Sequence, residues 1–148
     1  MTDERYTVRA ATYLILEKAG RIVMLRRQNT GWQDGNYTVP SGHLETGETI
    51  SQSMVREAKE EIGINIKKED LQLIHVSHRL SAGSGLVYID FYFKVESFQG
   101  EIINGEPEKC DDLNWFSVDS LPSNILPQLP FVFKKINESK FYSEFGWE

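Results

Sequence analysis

Residues Gly42 to Ile64 read GHLETGETISQSMVREAKEEIGI. From about Thr49 to Glu61 the stretch has a helical pattern: Ile50, Met54, Ala58 and Ile62 recur every four residues and form one apolar stripe. Thr49 at the N-cap with Gln52 three residues on makes a capping box, and Gly63 is a stop signal. Such a helix should pack on a sheet. At about 100° per residue, Glu57, Glu60 and Glu61 lie at i, i+3 and i+4 and project from one side. No Lys or Arg four residues C-terminal to any of them relieves the crowding, since positions 61, 64 and 65 are Glu, Ile and Asn. A hard cation bound through oxygens would relieve it. Taken alone, the three glutamates also fit a solvated acidic face.

Before the helix, Ala10 to Glu17 and Arg21 to Arg27 are β-rich runs separated by Lys18, Ala19 and Gly20, which predicts a hairpin. Gln28 to Tyr37 is polar, with Gly31 and Gly35 marking turns; Thr38 and Val39 form a short extended piece ending at Pro40, and His43 to Glu48 is a loop. After the helix, Leu71 to Leu80 and Leu86 to Glu96 read as strands, the second with alternating Val87, Ile89, Phe91 and Phe93. Asp112 to Ser117 is a short strand containing Trp115 and Phe116. Pro122, Pro127 and Pro130 punctuate the next stretch, and Phe131 to Ser139 is a second helix candidate. There is no internal repeat or low-complexity tract.

With 148 residues, 40% of them apolar, the chain is expected to form one domain over 1–148. Its apolar runs are far below the roughly 18 residues needed to cross a bilayer, and Met1 to Glu17 carries Asp3, Glu4 and Arg5 with no signal-like core. Cys110 is the one cysteine and fits a reducing compartment, so a cytoplasmic location and no membrane partner are expected. A net charge of −6 argues against gripping a nucleic acid backbone. A phosphate ligand would need local positive charge, which a bound divalent cation supplies.

From Gly42 the chain spells Gly42, Glu48, Arg56, Glu57, Ala58, Glu60, Glu61, Gly63 and Ile64. This matches the Nudix box, G-x5-E-x7-R-E-U-x-E-E-x-G-U with U aliphatic, at every defined position. Seven fixed identities at about one in twenty each give roughly 10⁻⁷ for a chance match in a chain of this length. The chain therefore resembles the Nudix hydrolase family, strictly over the 23 residues of the box and more loosely over the flanking strands up to Trp115. Its size is similar to that of the small, single-domain, MutT-like bacterial type. The resemblance implies an α/β/α sandwich around a mixed β-sheet, with the box forming a loop, helix and loop that hold Mg²⁺ or Mn²⁺.

Within that resemblance, Glu57, Glu60 and Glu61 are the metal carboxylates, with Glu57 the leading general base. Ser41 is similar in position to the residue whose carbonyl is often a ligand. Gly42 and Gly47 are free to adopt positive φ and bring backbone carbonyls close to a metal. Arg56 and Glu48 form a supporting pair that orients the carboxylates. Members often supply one more acidic group from a loop before a late strand; among Glu106, Glu108, Asp111 and Asp112, the favoured one is Glu106, because Glu106-Pro107 followed by Lys109-Cys110 and Trp115 resembles a bacterial subgroup.

The remaining candidates are weaker. His43 lies in a variable part of the box, and His75 and His78, three apart on a strand, face opposite ways. Arg26, Arg27 and Arg79 could meet phosphates, though a solvated role is the simpler reading of each; Gly42, Arg26 and Arg79 are carried as substrate-binding candidates. Trp32, Tyr37, Phe131 and Phe133 could stack on a base or simply fill the core. Cys110, beside acidic residues, should not have a depressed pKa.

The implied reaction is hydrolysis of a phosphoanhydride bond in a nucleoside diphosphate linked to another moiety. The leading substrate is a nucleoside triphosphate, oxidised or otherwise non-standard forms included. Nucleotide sugars, ADP-ribose among them, come second within the same chemistry. A Nudix-fold module that binds a nucleotide without cleaving it is the alternative from another class, but such modules usually have a damaged box and this one keeps every glutamate. RNA 5′-end processing is weaker still, for want of a basic run. The expected partner is a small nucleotide. A homodimer is within the habits of the family, with the oligomeric state left open by the sequence.

Overall fold

The computed structural model describes residues 4–147, so the Asp3 of the amino-terminal reading lies outside the described residues. In chain order the elements are β1 Arg9–Ile15, β2 Glu17–Lys18, β3 Arg21–Arg27, β4 Tyr37–Thr38, β5 Ser41–His43, α1 Ile50–Ile62, β6 Gln72–Leu80, β7 Val87–Lys94, β8 Cys110–Ser117, α2 Gln128–Asn137 and β9 Tyr142–Phe145.

Five strands form a mixed sheet in the order β5-β1-β7-β6-β9. The β1/β7 and β6/β9 pairs are parallel, and β1/β5 and β6/β7 antiparallel. The second sheet is antiparallel, with β3 between β4 and β8 and paired with β2 at one end. Alternation along the strands splits the core in two. Leu14, Leu16, Val23 and Leu25 face α1 residues Met54, Ala58 and Ile62; Tyr13, Ile22, Met24 and Tyr92 face α2 residues Leu129 and Val132. The helices thus sandwich the sheet layer, which is the mixed α/β architecture expected. None of the helices among the described residues is long and apolar enough to cross a membrane.

The expected hairpin is the largest departure. Only Glu17 and Lys18 pair with Ile22 and Arg21 as β2 and β3, while β1 leaves to join the other sheet. Ala11 to Leu14 are buried without a break, which suits a strand flanked on both edges and covered on both faces. In β7 the aliphatic alternation is an incomplete guide: Tyr88, Asp90 and Tyr92 of the other face are buried, and of the alternating set Phe93 is buried while Val87, Ile89 and Phe91 are half-buried.

The second helix starts three residues before the expected Phe131. Pro127 is its N-cap and Pro130 falls in its first turn, where an absent N–H removes no helical hydrogen bond. The strand β9, with its polar YSEF sequence, carries too little alternating hydrophobicity to be read in advance.

Candidate active site

Helix α1 positions the site as its sequence dictates. Thr49 Oγ1 accepts the Gln52 N–H at 3.1 Å, Gln52 Oε1 accepts the Thr49 N–H at 2.8 Å, and Gly63 ends the helix at φ 77°. Burying Met54, Ala58 and Ile62 completely turns the other side of the helix toward β5. There Gly42 earns its place by space, not by positive φ: its φ is not left-handed, and a Cβ would lie 2.5 Å from Glu57 Cγ and nearer still to the carboxyl carbon. Gly47 does take a left-handed φ, of 84°.

Arg56 is the hub. Its Nε and Nη2 donate to Glu48 Oε2 and Oε1 at 3.0 and 2.9 Å, the planar fork expected of the supporting pair. Nη2 also donates to the His43 carbonyl at 3.1 Å, and Nη1 to Glu57 Oε1 at 2.6 Å and Glu60 Oε2 at 3.2 Å. The hydrogen bond from Arg56 holds the Glu48 carboxyl down to about 2. No basic residue stands four residues C-terminal to any of the three glutamates, but Arg56, four residues N-terminal to Glu60, serves both it and Glu57.

Glu61 has no such help. Its Oε1 accepts the Ser41 N–H at 2.6 Å. Although its surface is only partly covered, the carboxylate sits deep enough that burial, and then Glu57, push its pKa well above the ordinary value. Burial also pushes Glu57 up to about 7 against the pull of Arg56, with Glu60 and Glu106 adding to the rise. Glu106 raises Glu61 as well, so the loop carboxylate shares their field.

That loop is pinned to the end of α1. The Gly105 N–H donates to the Glu61 carbonyl at 2.9 Å, and Asn104 Oδ1 accepts the Glu106 N–H at 3.1 Å. A Cβ on Gly105 would come 3.1 Å from the Glu60 carbonyl carbon and closer to its oxygen. No residue pattern signals this backbone contact in advance. Of the four loop acids, only Glu106 lines the cleft. Asp111 pairs with Arg26 Nε at 2.7 Å, Asp112 accepts the Tyr37 hydroxyl, and Glu108 is exposed.

The cleft holds about 730 Å³, with Glu57, Glu60, Glu61 and Glu106 among the residues lining it and Arg27, Trp32, Arg79 and Tyr88 also in its wall. Arg26, Ser41, Gly42 and His43 line it too. Arg79 is not solvated as expected: it is 4% exposed and ion-paired with fully buried Asp90, because charges enter a strand interior only with a partner. The acid within the apolar run of β7 was the signal for that pair. His75 is buried against Ser143 and the Lys140 carbonyl, and His78 on the opposite face packs on Trp147. Tyr37 is core, edge-on to Phe116, and Phe131 packs on Phe145. Burial raises the Cys110 thiol, as expected of a residue that is no nucleophile.

Among the described residues no three His, Cys, Asp or Glu side chains already form a metal cage. The donor set nevertheless fits a hard divalent cation: oxygen-only, anionic, and with no ion-pair partner for Glu61 among the described residues.

The NUDIX domain model matches residues 6–136. The chain belongs to the NUDIX family. An ADP-ribose pyrophosphatase of Methanocaldococcus jannaschii is 30% identical over 122 residues, 82% of this NUDIX chain and 66% of that protein. The NAD-capped RNA hydrolase NudC of Pseudomonas aeruginosa is 31% identical over 121 residues, 80% of this chain but 40% of its own length. Thus the NUDIX chain spans 40% to 66% of these curated relatives. In structure it is similar to a MutT NUDIX hydrolase from Burkholderia pseudomallei, with a TM-score of 0.79 at 23% identity, covering 87% of this chain and 98% of that one.

Proposed function

We propose that the protein hydrolyses a phosphoanhydride bond in a nucleoside diphosphate linked to a second group, with Mg²⁺ or Mn²⁺ held by Glu57, Glu60 and Glu61 and assisted by the Ser41 carbonyl and Glu106. The observation that carries this reading is Glu61: a deep carboxylate with one N–H donor, beside a second carboxylate raised to about 7, is a costly arrangement unless a cation completes it. The cation supplies Lewis acidity and neutralises charge gathering on the phosphoryl oxygens.

The chain's own groups do the rest. Arg56 fixes Oε1 of Glu57, leaving the other oxygen to take a proton from the attacking water. Glu48 holds Arg56 in that orientation, and the Ser41 N–H fixes Glu61. The Gly105 contact keeps the Glu106 loop against α1.

For the substrate, the names of the relatives put first an adenosine diphosphate joined to a sugar or second nucleotide, ADP-ribose being the simplest. Arg27 forms no ion pair among the described residues and lines the cleft with Lys109, which favours an additional phosphate and keeps the nucleoside triphosphate as the second reading. The test is a panel of ADP-ribose, NAD, nucleoside triphosphates and dinucleoside polyphosphates with Mg²⁺, reading nucleotide, phosphate and pyrophosphate release. Turnover of ADP-ribose to AMP and ribose 5-phosphate is expected. Turnover of triphosphates alone would reverse the order, and turnover of nothing would overturn the proposal.

A further inference from the structure

The cleft wall contains a charged pair that the hydrolytic machinery leaves unused. Arg79 Nε donates to Asp90 Oδ2 at 2.6 Å, and Nη2 to Asp90 Oδ1 at 3.3 Å. Nη2 also donates to the Tyr13 hydroxyl at 3.3 Å, which accepts from Gln128 Nε2 at 3.4 Å. In the β6/β7 register Ser77 stands opposite Asp90 and Arg79 opposite Tyr88, so the pair is a diagonal contact on one sheet face.

Burying two charges gains little stability over an apolar pair of similar volume. What distinguishes this pair is the atom left over. Nη1 has no hydrogen-bond partner among the described residues, and Arg79 lines the cleft while Asp90 does not. The guanidinium carbon lies 4.3 Å from the Tyr88 ring centroid and 6.0 Å from that of Trp32. Asp90 already matches its charge, so Nη1 offers directed N–H donors with little net charge. That chemistry selects a neutral acceptor, a ring nitrogen or carbonyl, over a phosphate. Arg27 is the contrasting case: its side chain donates to the Trp32 carbonyl and Thr30 Oγ1 and forms no ion pair among the described residues, so its charge remains open to phosphate.

We infer that the Arg79–Asp90 pair reads the nucleobase: the base lies in the cleft beside Trp32, and Arg79, its guanidinium stacked on the buried Tyr88 ring, donates from Nη1 to an acceptor atom on the edge of the base. This rests on the nucleotide reading proposed above and adds the residue that sets base preference within it. Asp90 is a positioning residue, holding the guanidinium so that Nη1 points into the cleft.

The experiment is calorimetric titration of AMP, GMP, UMP, CMP and base-free ribose 5-phosphate into the protein with Mg²⁺ present. Wild type is compared with Arg79→Lys, which keeps a cation for Asp90, and with Arg79→Met/Asp90→Leu, which removes both charges together so that neither is stranded; thermal melts establish folding. In wild type one nucleoside monophosphate should bind at least about 10-fold more tightly than ribose 5-phosphate, and both variants should lose that margin, since leaving a buried acceptor without its donor costs about 10-fold in affinity. Ribose 5-phosphate should bind all three proteins alike. Retention of the preference in either folded variant would overturn the inference. So would an equal loss for ribose 5-phosphate, which would make Arg79 a phosphate contact, or a wild type that binds no nucleotide better than ribose 5-phosphate. Turnover of ADP-ribose measured alongside separates the two readings. Base-selective binding lost in the variants, with no turnover by wild type, keeps this inference and overturns the catalytic one; turnover without base-selective binding does the reverse.

Discussion

Replacing Gly42 by alanine should disable the site with little harm to the fold. The backbone there is not left-handed, so alanine introduces no φ strain and the effect comes from the added methyl alone. That methyl would stand 2.5 Å from Glu57 Cγ and nearer still to the carboxyl carbon. Carbon atoms rest at about 3.5 to 4.0 Å, so the Glu57 side chain must retreat by about 1 Å or more. It can do so by rotating, which breaks the 2.6 Å contact with Arg56 and withdraws an oxygen from the cation position. A misplacement of about 1 Å costs on the order of 100-fold in rate, whereas overpacking typically costs about 1 to 3 kcal/mol of stability. We would measure kcat for ADP-ribose, the Mg²⁺ concentration at half-maximal rate, and the melting temperature. A second variant, Gly42→Ala/Glu57→Asp, shortens the clashing side chain, and its two effects should be clearly non-additive. Gly42→Ala with a rate within about 3-fold of wild type and an unchanged Mg²⁺ midpoint would refute the claim that Glu57 is held at this spot for catalysis.

Three further outcomes follow from the same geometry. Glu57 and Glu61 are raised by burial, so their stabilising contribution is present below their unfolded pKa near 4.5 and lost as pH rises through about 7 for Glu57 and higher for Glu61; at pH 8 without metal, Glu61→Gln should melt above wild type yet be inactive, and a lower melting temperature would contradict the account. Arg56→Lys keeps the charge but loses the fork to Glu48, so it should fold while metal affinity or rate falls about 10- to 100-fold, and normal Mg²⁺ dependence would leave Arg56 a surface residue. Glu106→Gln should lose far more activity than Glu108→Gln, because only Glu106 lines the cleft; equal losses would remove the loop carboxylate from the mechanism.

Most of the candidate site's arrangement was legible because it is local. One helix carries Glu57, Glu60 and Glu61, a cap and a glycine fix its ends, and the Arg56–Glu48 pair spans eight residues. What escaped depended on long-range contacts. The Gly105 approach to α1 and the purpose of Gly42 each join segments whose meeting no periodicity reveals, and Asp90 in the apolar run of β7 signals a buried charge without signalling that Arg79 is its partner. The fold follows the same division. The apolar stripe of α1 was readable, but the departure of β1 from the hairpin was not, because two adjacent β-rich runs look alike whether they pair with each other or with distant strands. Buried Tyr88, Asp90 and Tyr92 ran against the aliphatic alternation of β7 because that face is filled by the ion pair of Asp90 with Arg79 of β6 and by the stacking of Tyr92 on Tyr13 of β1.

On this reading the α1 carboxylates act on a phosphoanhydride through a divalent cation. The most direct measurement is AMP release from ADP-ribose by wild type and Glu61→Gln, in excess chelator and then across a Mg²⁺ titration. The account predicts no release in chelator, saturable recovery with Mg²⁺ for wild type, and no recovery for a folded Glu61→Gln. Release that persists in chelator, or a Glu61→Gln that recovers along the wild-type curve, would contradict it.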